Sequence, residues 1–158
     1  MKSWLGFAGA LVAACTLSAG CDLFNRNTSS TGNPTAPTSG ATLDSYAGTW
    51  QSVTASTPAT GCGNLKYTVT PTTTTSANVS FTATCASNIT VSGSGSGTLS
   101  GSAINWSASG LVSQGGVNCP FSFTNSKAAL DSTGQNVVVT YGGTVCGIPV
   151  SGTETVKK

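Results

Sequence analysis

From Tyr46 onward the chain is built of short runs in which apolar and polar residues alternate. Gly, Asn, Asp, Pro or Ser bounds each run. A period of two sends every second side chain to the same face, which is the pattern of a half-buried strand. The pattern predicts eight strands. The first covers 48–56 and carries Trp50; the second covers 65–70, with Leu65, Tyr67 and Val69 on one face. The third covers 78–85, with Val79, Phe81 and Ala83, and the fourth covers 89–100. In the fourth, one face reads Ile89, Val91, Gly93, Gly95, Gly97 and Leu99, apolar at its ends and bare in its middle. The fifth covers 103–112 with Ile104, Trp106 and Ala108; the sixth covers 117–130 with Phe121 and Phe123. The seventh covers 136–146 with Val137, Val139 and Tyr141, and the eighth covers 150–156. No helical period extends beyond one turn; 126–130 comes nearest and is too short to hold a helix by itself.

The links between most of these runs hold only a few residues, so sequence neighbours are antiparallel neighbours in space. The expected fold is all-β, an eight-stranded antiparallel up-and-down β-barrel. A β-sandwich is the alternative, but it needs longer crossovers than most of these links offer. The bare glycine face suits strand curvature, or interior space beside bulky neighbours.

Residues 25–43, NRNTSSTGNPTAPTSGATL, have almost nothing to bury and read as a flexible tether. About 20 such residues reach ~25 Å, enough to lift a domain clear of lipid headgroups. Before the tether, Lys2 precedes an apolar run over 4–14 that is too short for a span of ~20 residues. A charged start, an apolar middle and small residues before a cut form an export signal. Leu17-Ser18-Ala19-Gly20-Cys21 resembles the lipobox of bacterial lipoproteins, with Ser18 where an aliphatic residue is usual. The resemblance implies that Cys21 is acylated. Val12-Ala13-Ala14-Cys15 is the alternative box, with Cys15 acylated after a shorter signal. The division expected is a signal peptide over 1–20, a lipidated cysteine and tether over 21–45, and a barrel over 46–158. The implied location is the bacterial cell envelope, on the inner or outer membrane, with the lipid bilayer as first partner through acylated Cys21.

Four of the six cysteines then remain: Cys62, Cys85, Cys119 and Cys146. An even count in an exported chain reads as disulfides. Cys62 and Cys85 lie equidistant from the turn near Thr73-Thr74. Cys119 and Cys146 lie equidistant from the turn near Ser132-Thr133. The expected pairs are therefore Cys62–Cys85 and Cys119–Cys146, both at the same end of a meander. That end is the expected working surface, because rigid scaffolds present function on loops.

Composition narrows the chemistry. Charged residues make up 6% of the chain, the formal net charge is +2, and histidine is absent. No basic stripe exists for nucleic acid. The commonest general base and metal ligand is missing, and no Cys-x-x-Cys spacing or paired carboxylate replaces it. The expectation is no enzyme, no metal and no cofactor.

Gly48 and Trp50, in Tyr46-Ala47-Gly48-Thr49-Trp50, resemble the Gly-x-Trp opening of lipocalins and of the avidin family, both meander barrels. Lipocalins usually pack an arginine over that tryptophan, whereas the one arginine here, Arg26, lies in the tether. Trp50 is read as an aromatic plug of one barrel end. The expected function is a non-catalytic binding or interaction module, with an envelope protein or a surface polymer as partner. A carrier of small apolar ligands is the second reading. Its cavity would be lined by Trp50, Tyr67, Phe81, Trp106, Phe121, Phe123 and Tyr141. A purely structural envelope protein is the third.

Overall fold

The structure, a computed structural model, describes residues 40–53 and 62–158; of 62–64 only the backbone is described. The signal peptide, Cys15, Cys21 and most of the tether lie outside the described residues.

One helical turn, α1 (Leu43–Tyr46), precedes the strands β1 (Gly48–Ser52), β2 (Cys62–Pro71), β3 (Ser76–Cys85) and β4 (Ile89–Ser100). β5 (Ala103–Gln114), β6 (Val117–Leu130), β7 (Asn136–Val145) and β8 (Ile148–Lys157) complete the chain. Each strand pairs antiparallel with the next, and the sheet closes on itself as a barrel. Closure is made by β1 and β8, through the register Gln51↔Lys157 and Ser52↔Val156. That pairing decides between the two expected architectures, because a sandwich would leave both strands as edges. The expected strands are all present, several of them extended by two or three residues. The first ends at Ser52 rather than at 56, and residues 54–61 lie outside the described residues.

Alternation holds along most of the barrel. In β3 the inward positions Ala77, Val79, Phe81 and Ala83 are all buried, and their polar neighbours Asn78, Ser80, Thr82 and Thr84 face outward. β6 departs from it. Its inward positions are odd-numbered through Phe123 and even-numbered from Ser126 on. The register slips between Phe123 and Lys127 against β7, and between Trp106 and Ala108 against β5. One extra residue near the exposed pair Thr124-Asn125 makes the change of parity, as a β-bulge does.

α1 closes one end. Composition placed Leu43 in the tether, yet Leu43 and Tyr46 are 2% and 1% exposed. Burying an apolar and an aromatic side chain over the open core outweighs the weak helical preference of so short a segment. The Tyr46 hydroxyl donates to the Ser102 carbonyl at 2.6 Å and accepts from the Leu130 N–H at 3.1 Å. It thereby ties the plug to the β4–β5 turn and to the end of β6. The Trp50 indole N–H donates to the Tyr46 carbonyl at 2.7 Å.

Tyr46→Phe should cost about 2 kcal/mol, because it leaves the Leu130 N–H and the Ser102 carbonyl without their partner. Burial pushes the Tyr46 hydroxyl above the ordinary tyrosine range, and the Leu130 N–H pulls it part of the way back. The folded state therefore keeps a proton that the unfolded chain has begun to lose. The resulting stability is complete below pH ~10 and is lost as pH rises through the folded value. Denaturant melts between pH ~9 and ~11 should fall more steeply for the wild type than for Tyr46→Phe. Parallel curves would mean that the hydroxyl is not buried on folding.

At the same end, the β6–β7 link is organised by Asp131. Its Oδ1 accepts from the Thr133 N–H and hydroxyl and from the Gln135 and Asn136 N–H groups, and its Oδ2 from the Asn136 side chain at 2.7 Å. Slight burial raises the carboxyl, but these hydrogen bonds together hold it below the usual carboxylate range.

Candidate functional site

The end opposite the plug carries the cysteines. Cys119, near the start of β6, is disulfide-bonded to Cys146 in the β7–β8 turn, with Cα atoms 5.1 Å apart. This is the pairing expected from the hairpin. Cys85 is also disulfide-bonded, and the residue opposite it in the β2–β3 register is Cys62. All four cysteines thus stand at one end, on the β2–β3 and β6–β7 pairs.

Backbone strain collects there as well. Among the described residues, Ser87, Asn88 and Cys146 are the non-glycine positions with left-handed backbone, at φ 58°, 56° and 51°. All three lie in links at the disulfide end. L-residues visit this region rarely, and such positions cluster where a surface is held for use.

The same end exposes apolar surface. Val117 and Ile148, the first residues of β6 and β8, are 51% and 50% exposed. Leu111, opposite Pro120 on the outer wall near this rim, is 43% exposed. Val53, the last described residue before the link to β2, is also exposed. The outward row of β4, by contrast, is all hydroxyl: Thr90, Ser92, Ser94, Ser96 and Thr98.

Inside, the seven expected aromatic residues divide into two groups. Trp50, Tyr67 and Trp106 line a small apolar cavity of about 40 Å³ next to the plug, with Val69, Val79 and Val156 among its other walls. Phe81, Phe121, Phe123 and Tyr141 pack ring to ring. Phe81 and Phe121 are 5.2 Å apart, as are Phe121 and Phe123, and Phe123 and Tyr141 are 5.3 Å apart. The glycine face expected to leave space is occupied. A Cβ at Gly93 would meet the ring tips of Phe121 and Phe81, and one at Gly97 would meet Ile104. The missing side chains make room for rings from β3 and β6, so the space they leave is filled.

Sequence reasoning missed two polar side chains. Lys158 sets its ammonium 4.8 Å from the centre of the Trp50 ring, so a cation covers this tryptophan although the domain has no arginine. Glu154, the one glutamate of the chain, is 1% exposed inside the barrel. The signal was present in the alternation: Glu154 shares the inward face of β8 with Val150, Gly152 and Val156. Its Oε2 accepts from the Tyr67 hydroxyl at 2.9 Å.

Fold and site together define a small closed antiparallel β-barrel with a plugged end and a disulfide-stapled end. Two solved structures share this architecture. One is a redesigned β-barrel, mFAP1, bound to DFHBI, with 12% identity, TM-score 0.52, and coverage of 75% of this chain and 100% of that one. The other is the redesigned β-barrel b11L5F_LGL, with 16% identity, TM-score 0.52, and coverage of 78% and 98%. At these identities the likeness concerns the fold. No protein-family model matches the chain, and no curated protein matches it.

Proposed function

We propose that the chain is an envelope lipoprotein whose barrel is a non-catalytic binding module, held to the membrane by acylated Cys21 and working through its disulfide end. The observation that carries this reading is the placement of exposed apolar side chains. Leu111, Val117 and Ile148 cluster at the one end that is both stapled and strained. A rigid apolar rim ringed by a hydroxyl-rich wall suits the core and rim of an interface. The polar outer wall supports a barrel carried outside the hydrocarbon, since a lipid-facing wall is apolar. The partner is an envelope protein or a surface polymer. The apolar-carrier reading draws less support, because the described cavity of about 40 Å³ falls far below the ~300 Å³ of a small-molecule pocket.

Two variants test the reading. Cys21→Ser should leave a folded barrel in the soluble fraction, while Cys15→Ser stays with membranes. The opposite result would assign the lipid to Cys15. Val117→Lys with Ile148→Lys should fold normally, both sites being half exposed. It should cut the yield of the partner crosslinked in native envelopes by about tenfold or more, as loss of an interface centre does. An unchanged crosslink pattern would remove the rim from the binding surface.

A further inference from the structure

Ligands are held in concave surface, and the outer wall of a closed barrel is convex. One stretch of the wall is hollowed. A cleft of about 440 Å³, open to solvent, crosses β4, β5 and β6. Ser96 and Thr98 come to it from β4, Asn105 and Ser107 from β5, and Thr124, Asn125 and Lys127 from β6. The cleft lies at the bulge. Trp106 pairs with Ser126 and Ala108 with Phe123, so Ser107 alone faces the two residues Thr124-Asn125. Two successive side chains of β6 thus point outward, the kind of re-aiming that bulges provide beside ligand sites.

All seven side chains are exposed, and none has a hydrogen-bond or ion-pair partner among the described residues. The β6–β7 link differs, because there Asp131 takes up the Thr133 hydroxyl and the Asn136 amide. Hydroxyls and amides both donate and accept, and Lys127 adds three donors and a positive charge. No carboxylate among the described residues offsets that charge in the cleft. Asp44 and Asp131 belong to the plug end, and Glu154 faces the interior. The register lines up Thr98, Asn105 and Lys127 across three strands. Hydroxyl, amide and cation therefore stand within ~10 Å, at ~4.8 Å from strand to strand.

A second cleft of about 370 Å³ adjoins across β4, with Thr70, Asn78, Ser80 and Ser94 in its walls and no charged residue. Asn78 of this cleft faces Ser96 of the first in register. A ligand crossing both is extended, polar along its length and acidic at one part. A peptide would draw its affinity from a free strand edge, and β4, β5 and β6 are each paired on both sides. Recognition here falls to side chains. Sugar hydroxyls donate and accept as these side chains do.

We propose that this face of β2–β6 binds an acidic oligosaccharide, its carboxylate against Lys127 and its hydroxyls on the amides of Asn105 and Asn125. The site lies on the flank of the barrel and stands independently of the apolar rim.

The test titrates the full chain with trigalacturonate, reading backbone amide shifts by NMR. Maltotriose, triglutamate and inorganic phosphate at equal ionic strength are the comparisons. Trigalacturonate should shift the amides of Ser96, Ser107 and Lys127 saturably and bind about threefold or more tighter than maltotriose, the scale of one exposed charge pair. Lys127→Gln should abolish that preference and leave maltotriose binding as in the wild type. Asn105→Ala with Asn125→Ala should weaken both sugars by about tenfold, through loss of two hydrogen-bonding amides. The three positions are exposed, so these variants should fold. Val117→Ser with Ile148→Ser should bind trigalacturonate unchanged, so a failure of the rim would not carry over to this site. No saturable shift, shifts confined to other strands, a preference that survives Lys127→Gln, or unchanged binding by the asparagine variant would each overturn the proposal. Triglutamate or phosphate shifting the same amides as strongly would also overturn it, making the cleft a site for acidic protein or for any anion.

Discussion

Gly95→Val is expected to prevent the closed barrel from forming. Gly95 sits at the middle of β4, opposite Val79 of β3 and Ala108 of β5. A Cβ built there would collide with the Ser107 carbonyl oxygen and lie 2.6 Å from the Ala108 Cα. Both are backbone atoms of the neighbouring strand, so relief requires β5 to move, and β5 carries Trp106 and Ala108 into the core. Ordinary overpacking costs ~1–3 kcal/mol, because side chains can turn aside. Here the obstacle is the ladder itself, and a loss of about 4 kcal/mol or more is comparable with the ~5–15 kcal/mol that holds a whole domain. Gly97→Ala provides the graded control. Its Cβ meets the Ile104 Cγ2, a side-chain atom able to shift, so its cost should stay within the usual overpacking range of ~1–3 kcal/mol. Far-UV circular dichroism and thermal melts of the two variants decide the matter. If Gly95→Val melts like Gly97→Ala, the two strands are not pressed together at this point.

The second large effect is expected from Cys119→Ser with Cys146→Ser. The bridge spans 27 residues, for which the chain-entropy model gives ~3–4 kcal/mol. For a domain of this size that corresponds to a fall in Tm of about 10–15 °C. The loss should also be visible locally. Cys146 donates its backbone N–H to the Pro120 carbonyl at 2.9 Å from a left-handed conformation that serine does not favour. Without the bridge, that amide should exchange far faster than the β6–β7 ladder nearer the plug, where Leu130 faces Val137. A double variant that melts within about 2 °C of the wild type would show that the ladder holds this end by itself. Because the rim residues Val117 and Ile148 flank the bridge, the same variant should also weaken the proposed partner contact.

Much of this molecule is legible in the order of its residues. The strand count, the inward set from Val79 to Tyr141, and the cysteine pairing rest on two facts. A pleated strand turns alternate side chains to opposite faces. A hairpin brings together residues equidistant from its turn, and Cys119 and Cys146 obey that arithmetic even though β6 carries a bulge. Glu154 shows position outweighing composition. A charged residue is expected at the surface, but Glu154 lies two residues from Val156 on an inward face, where alternation places it.

What sequence could not carry are the contacts between distant segments. Alternation describes the two faces of each strand and is silent on whether the first strand meets the last. The pairing of Gln51 with Lys157 depends on the stagger accumulated around all eight strands, which no single strand encodes. The plug is similar. Leu43 and Tyr46 stand in a segment with no helical period, and their burial arises because the closed barrel offers an open apolar end for them to cover. The glycine face of β4 looks like vacant space when read along one strand, and only the rings of Phe81 and Phe121, arriving from β3 and β6, turn it into close packing. Local periodicity thus determined which side chains face inward, and the long-range packing of the closed sheet decided what they meet there.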